Sequence, residues 1–291
     1  MLGIIGGSGV YAIPGLTNTR WERVSSPFGQ PSDELYFGEL EGQPLVFLPR
    51  HGRGHRVPPN EVDFRANIDV LKRAGVTDIL ALTAVGSLRE DLAPGTFVVV
   101  DQFIDRTIAR KKSFFGTGMV AHVSMAHPVC GRVSDALMVA AKDAGAEITK
   151  GGTLVVMEGP QFSSKAESEL YRSWKCDVVG MTAMPEAKLA REAEICYASL
   201  AMVTDYDCWH PDHDHVTVDE VVRVMQQNVE RARDIIRRIA PPLREHPPFC
   251  PNRCDRALDA AIMTAKEARD PKLAGQLDAI LARTLTTEGS R

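Results

Sequence analysis

The chain has no long hydrophobic run. None of its 291 residues falls in an apolar stretch near the roughly twenty positions needed to cross a bilayer. Its first ten residues, MLGIIGGSGV, lack a basic n-region, and their apolar run is too short for a signal peptide. No block of one charge occurs either. The net charge of −4 comes from interspersed acids and bases, so neither a nucleic-acid nor a membrane surface is expected. Six cysteines lie in the last two-thirds with no framework spacing. That excludes a disulfide-stapled scaffold and points to reduced thiols in the cytoplasm. Cys250 and Cys254 are the only close pair, and no matching pair stands elsewhere along the chain, so no structural zinc is expected. Internal repeats, low-complexity tracts and the G-K-[ST] of a P-loop are all missing.

What is present is an ordinary globular composition, 44% hydrophobic and 25% charged, long enough for one large domain with or without an appendage. Short apolar runs at 2–6, 44–49, 78–84, 96–101, 153–158, 177–182 and 196–205 read as buried strands. Helical patterns lie between them. One spans about 60–74, introduced by Pro58-Pro59 and closed by Gly75; another runs from a Thr217/Glu220 capping box to about 240, where Pro241-Pro242 stops it. The alternation predicts a single α/β domain over 1–240, with helices on both faces of a central sheet. Residues 241–291 read as a linker and a helical extension. Leu273, Leu277, Ile280 and Leu281 share a face there that must pack on the same or a neighbouring subunit.

Three strand ends suit an oxyanion. After the first, Gly6, Gly7 and Gly9 let backbone N–H groups converge beside the Ser8 hydroxyl. Gly7, Gly9 and Ala12 also fit G-x-G-x-x-A, but Pro14-Gly15 follows at once, so no helix opens to meet a pyrophosphate. After the second strand come Arg50 and His51, a planar fork of donors beside an imidazole; Arg53 and Arg56 read as a solvated loop. At the third, Thr83 and Ala84 precede Gly86-Ser87. Ligands of α/β folds bind at the carboxyl ends of strands, so three such ends together carry more weight than one.

The segment MEGPQFSSKAESE joins a strand to a helix capped by Ser163 or Ser164, with Phe162 at the turn, where its ring could stack on a base or sugar. The run AMVTDYDCWHPDHDH follows the last strand. Its histidines have no second ligand cluster to complete a metal site, so a solvated loop is the expectation. Asp205 and Asp207 are different, because a carboxylate at the exit of an apolar strand needs a partner. If strand geometry persists, the two point the same way and repel, so one holds its proton above the usual value of about 3.9. One donor beside several acceptors complements the Hoogsteen edge of a 6-aminopurine, whose N7 accepts and whose amino group donates.

Taken in order, GIIGGSG, RHGRGH, ANIDVLKRAG, TAVGSLRE, DQFIDRT, EGPQFSSKAES, MTAMPE and CYASLAMVTDYDCW resemble the methylthioadenosine phosphorylase family, within the trimeric purine nucleoside phosphorylase group. The resemblance covers most of 1–240. It implies a mixed, twisted sheet flanked by helices, a homotrimer, and phosphorolysis of a nucleoside by inorganic phosphate without metal or organic cofactor. By that resemblance Ser8, Arg50, His51, Thr83, Ala84 and Thr182 hold phosphate, and Asp205 and Asp207 bind the base and supply the catalytic proton. Phe162 and Met181 line the ribose, and Ser163 lies near the base. Val218 and Val221 form part of a methylthio pocket, and His122 reaches the 5′ end of a nucleoside in a neighbouring subunit. Relatives that favour 6-oxopurines carry Asn at the base site, so the TDYD of this chain implies adenine.

Overall fold

The structure, a computed structural model, describes residues 1–7, 9–211 and 218–288. In chain order its elements begin β1 (Leu2–Gly6), β2 (Thr17–Glu22), β3 (Leu35–Leu40), β4 (Gln43–Pro49), α1 (Phe64–Arg73) and β5 (Asp78–Ser87). Then come β6 (Phe97–Val100), β7 (Gln102–Asp105), α2 (Gly131–Asp143), β8 (Ile148–Lys150), β9 (Thr153–Val156) and α3 (Lys165–Ser173). The chain continues through β10 (Val178–Gly180), α4 (Ala183–Glu192), β11 (Cys196–Asp205), α5 (Val218–Ile239), α6 (Pro271–Gln276) and α7 (Asp278–Glu288). All seven strands expected from apolar runs are present. The helix expected from about residue 60 begins instead at Phe64, because Asp63 caps it by accepting the Ala66 N–H at 3.0 Å. The capping box at the start of α3 forms as expected, with Ser164 and Glu167 as its members. The box expected at Thr217 lies outside the described residues.

One mixed sheet organises the chain. Its main path is β2-β3-β4-β1-β5-β10-β9-β7, and a branch leaves β5 through β11 to β6 and β8. β1 runs parallel to β4 and β5, and β5 runs parallel to β11. The carboxyl ends of these four strands therefore lie along one edge. Parallel strands are covered on both faces, which is why LGIIG and CYASLAMVT are apolar at nearly every position. On one face α1, α4 and α7 bury Ile68, Leu71, Ala187, Leu189, Ile280 and Leu281. On the other, α2 and α5 bury Val133, Leu137, Ala232, Ile235 and Ile239. The extension thus packs on its own chain: Leu277, Ile280 and Leu281 join the first cluster, and Arg283 clasps Glu194 at 2.5 Å. The segment read as a linker is likewise packed, with Leu243, Cys250 and Cys254 buried.

Glu192, at the end of α4, is a buried carboxyl whose Oε1 and Oε2 accept the Ser113 hydroxyl and the Phe114 N–H, each at 2.7 Å. Burial pushes its pKa up from 4.5 to about 7, against the pull of those hydrogen bonds. Below pH 4.5 the group is protonated in both folded and unfolded chains. Between there and about 7 the unfolded chain ionises first, so the native state holds more protons and stability falls as pH rises. The loss is on the order of 3 kcal/mol across that window. Glu192→Gln should flatten this part of the curve; chemical denaturation at pH 5 and pH 7 would show an unchanged slope if the carboxyl is not its source.

Candidate active site

The parallel register brings the expected strand ends together. Gly6 pairs with Pro49, so the glycine turn after β1 sits beside Arg50, whose N–H donates to the Gly6 carbonyl at 2.9 Å. Ser8, between Gly7 and Gly9, lies outside the described residues. The turn is held from behind by α5, where Arg233 Nε and Nη2 both donate to the Gly9 carbonyl, at 2.9 and 2.6 Å. β10 runs antiparallel to β5 and places Gly180 in contact with Val85 and the Ala84 carbonyl. That delivers Met181 and Thr182 to the same place, and the Thr83 and Thr182 hydroxyls stand 3.3 Å apart.

Arg50 is 2% exposed and fully committed on one side. Its Nε and Nη2 donate to Glu186 Oε2 and Oε1 at 2.8 and 3.0 Å, and Nη1 donates to the Leu82 carbonyl at 2.8 Å. Tyr197 donates its hydroxyl to Glu186 Oε1 at 2.9 Å. Burial opposes the Arg50 charge, but Glu186 outweighs it and the guanidinium pKa rises. A guanidinium carries five N–H groups, so donors remain beyond these three contacts. His51 shares the turn: its Nδ1 is 2.9 Å from the Val57 carbonyl, which fixes the proton on that nitrogen and leaves Nε2 as an acceptor. Burial and the Arg50 charge push its pKa down to about 4, so it is neutral near pH 7. Arg53 turns away to Asp33, at 2.8 Å, and Arg56 is largely exposed, as expected of a solvated loop.

The aspartates are arranged differently from the strand expectation. β11 ends at Asp205, and Asp207 has a φ of 52° in the left-handed region. The two side chains therefore do not stand as i and i+2 neighbours of one strand. Asp205 Oδ1 instead accepts the Asp207 N–H at 2.8 Å, and its Oδ2 accepts the Thr204 hydroxyl at 2.7 Å. Asp207 is 3% exposed, and its Oδ2 has no hydrogen-bond partner. Its pKa is raised, chiefly by burial, against the pull of the nearby Ser168 and Ser163 hydroxyls. The upward shift expected of one aspartate is thus present at Asp207, but desolvation and not repulsion by Asp205 is its main cause.

The remaining expected residues form the rim. Ser163 is half-buried, with its hydroxyl on Met157 Sδ at 3.4 Å and its carbonyl 3.3 Å from Cys208 Sγ. Met181 is half-buried and packs against Gly159. Phe162 is 45% exposed and Val218 is 65% exposed, while Val221 is half-buried and His122 is exposed. Of the histidine-rich run, His210 is buried, stacks on Tyr206 at 4.7 Å and reaches Glu90 at 3.3 Å; residues 212–215 lie outside the described residues. A surface depression of about 720 Å³ beside β2 and β3 contains none of these groups.

An anion-compatible end and an acidic, base-compatible end thus share the edge of β5. Residues 1–241 match the description of the phosphorylase superfamily. The chain belongs to that family. It is 57% identical to the S-methyl-5'-thioadenosine phosphorylase of Cereibacter sphaeroides over 98% of each chain. It is 58% identical to the protein of the same name from Rhodospirillum rubrum, over 98% of this chain and 97% of that one. Among solved structures, a methylthioadenosine phosphorylase from an antarctic soil metagenomic library superposes with a TM-score of 0.90 at 46% identity, covering 96% of this chain and 98% of that one. The family resemblance read from the motifs is therefore borne out.

Several contributors carried no signal in the sequence. Glu186 and Tyr197 fix Arg50 from positions more than a hundred residues away. Arg110 donates to the Met181 and Met184 carbonyls at 2.6 and 2.7 Å and to the Glu158 carbonyl at 2.7 Å, tying together the two loops of the rim. Gly86, expected at an anion-compatible strand end, lies under the carboxylates. A Cβ there would stand 2.8 Å from Asp205 Oδ1 and 3.2 Å from Asp207 Cβ. Asp205 cannot swing away without releasing the Asp207 N–H. Gly86→Ala should therefore cost about 100-fold in kcat/KM of the folded enzyme by displacement alone. Activity within a factor of about three of wild type would show that the pair tolerates the methyl group.

Proposed function

We propose that the protein cleaves 5′-methylthioadenosine with inorganic phosphate, giving adenine and 5-methylthioribose 1-phosphate. The observation that carries this reading is that a buried arginine with spare donors, on the Leu82 carbonyl, and a buried carboxyl with a raised pKa, beside Gly86, both lie along β5. In this reading Arg50, Thr83, Thr182, the Ala84 backbone and Ser8 hold the phosphate. Neutral His51 accepts a hydrogen bond at Nε2 from the P–OH of a hydrogen phosphate, which keeps its proton. The phosphate is then anchored with its attacking oxygen aimed at C1′. The C1′–N9 bond breaks with its electron pair moving to the purine. An oxygen of the Asp205/Asp207 pair gives its proton to N7, and the other oxygens receive the 6-amino group. A phosphate oxygen bonds C1′ as positive charge develops on the sugar, so the anion supplies both nucleophile and stabilising charge. The step needs no metal or organic cofactor.

We infer a homotrimer, as the family resemblance implies, in which a neighbouring subunit closes the rim. Phe162, Val218 and His122 are too exposed in one chain to enclose a nucleoside. We assign Phe162 and Met181 to the ribose, Ser163 to the base side, and Val218 and Val221 to the methylthio group, with His122 supplied by a neighbouring subunit. An apolar wall favours the thioether over a 5′-hydroxyl, which would lose its hydrogen bonds there. A cytoplasmic location accords with six free cysteines.

The decisive assay is adenine release from 5′-methylthioadenosine with and without phosphate, with adenosine and inosine alongside. Release should require phosphate, be fastest for the methylthio substrate and be weak for inosine; release without phosphate would mean hydrolysis and remove the role given to Arg50. Asp205→Asn and Asp207→Asn should each lower kcat by about 10² to 10⁴, with a smaller effect on KM.

A further inference from the structure

Cys130, Cys196 and the Cys250/Cys254 pair, far apart in sequence, meet on the α2/α5 side of the sheet. Cys130 precedes α2, Cys196 begins β11, and the other two come from the segment after α5. All four are at most 2% exposed, and their sulfurs lie within 4.8 Å of one another. The Cys130–Cys250 and Cys196–Cys250 separations are 3.6 and 3.5 Å. A tetrahedral zinc tetrathiolate, with Zn–S of about 2.3 Å, has sulfur–sulfur edges of about 3.8 Å. The expectation that Cys250 and Cys254 lack a second pair fails in space: the pair comes from two other elements.

We propose that these four thiols hold one zinc ion, which pins residues 250–256 to the sheet. Binding releases the four S–H protons to solvent and leaves a complex of charge −2. The surroundings suit that charge. Arg132, ion-paired with Asp78, is a cation close to the Cys196 sulfur, where it favours a thiolate over a thiol. His246 Nε2 stands 3.9 Å from the same sulfur. The loop is also shaped for ligation. The Arg253 N–H donates to the Cys250 carbonyl at 2.8 Å, with Arg253 at a φ of 54°, and this turn aims both thiols one way. Asp255 accepts the Cys250 N–H at 3.1 Å, and Asn252 accepts the Arg132 N–H at 3.1 Å. Such contacts orient ligands in metal sites.

The clamp has a consequence downstream. Just after it, Ala121 bridges Ile262, and the His122 N–H donates to the Ala261 carbonyl at 2.8 Å. Holding residues 250–256 therefore steadies the segment carrying His122. The proposal does not depend on the activity proposed above.

The test is the metal content of the wild-type protein, purified under reducing conditions without chelator, by elemental analysis. One zinc per chain is expected. Cys250→Ser and Cys254→Ser should lose it, whereas Cys176→Ser, in a different cluster, should keep it. Cobalt exchanged into wild type should give the absorption of a tetrahedral tetrathiolate. Extraction should speed deuterium exchange at the His122 amide. Wild-type protein that holds no zinc and takes up none when zinc is added to the reduced chain would overturn the proposal. So would two disulfides among these cysteines in protein isolated without reductant.

Discussion

The site depends on one buried ion pair. Arg50 and Glu186 are both removed from water, a step costing several kcal/mol per ion unless geometry and further hydrogen bonds compensate. Here they do. Two guanidinium nitrogens meet two carboxylate oxygens, the Leu82 carbonyl takes a third donor, and Tyr197 donates to the carboxylate. The pair is nearly neutral as a unit, which bears on the proposed reaction. A phosphate beside it meets directed N–H and hydroxyl donors and not an uncompensated cation. It is oriented without its negative charge being quenched, and that charge is what must attack and stabilise the sugar. Breaking the pair from the Glu186 side would leave a buried guanidinium without its counter-charge.

The same pair explains the placement of α4. Glu186 lies in its first turn, Thr182 precedes it, and Arg110 ties the Met181 and Met184 carbonyls to the loop after β9. The irregular start of α4, where Met184 has non-helical angles, brings carboxylate and hydroxyl to the strand ends together.

What could be read in advance follows from how far each interaction reaches along the chain. Buried parallel strands announce themselves because every position is apolar, and β1, β4, β5 and β11 were all legible. β2 was not: TNTRWE is exposed at five of six positions and gives no periodic signal. α1 and α3 carry side-chain caps, but α2 and α4 have none, and both went unseen. In the site, groups that act at strand ends were found from local chemistry. Their supports, Glu186, Tyr197 and Arg110, were not, because nothing local marks a partner that lies dozens to more than a hundred residues away. The aspartates show a subtler limit. Their identity was legible, but strand geometry could not be extended past Asp205, where the Asp207 N–H turns back onto its carboxylate. The four cysteines fail for the opposite reason. A spacing rule looks for pairs along the chain, and here three separate segments supply the ligands.

β5 sets the scale on which these parts meet. It pairs with β1 over its first half, with β10 over its last residues, and with β11 along nearly its whole length. Thr83 faces the proposed phosphate end, and Gly86 lies under the aspartates at the other. Three residues of strand at about 3.3 Å each span roughly 10 Å. Phosphate, C1′ and the N7 edge of a purine, laid in line with contact distances at either end, need about the same length. A strand paired with β11 through this whole interval fixes that separation better than a loop does, because its ladder hydrogen bonds resist sliding. A shorter interval would crowd the sugar, and a longer one would leave the leaving group without its proton donor while the nucleophile was in place. In the proposed reaction nucleophile and acid act on one bond in one step, and β5 would set the distance between them.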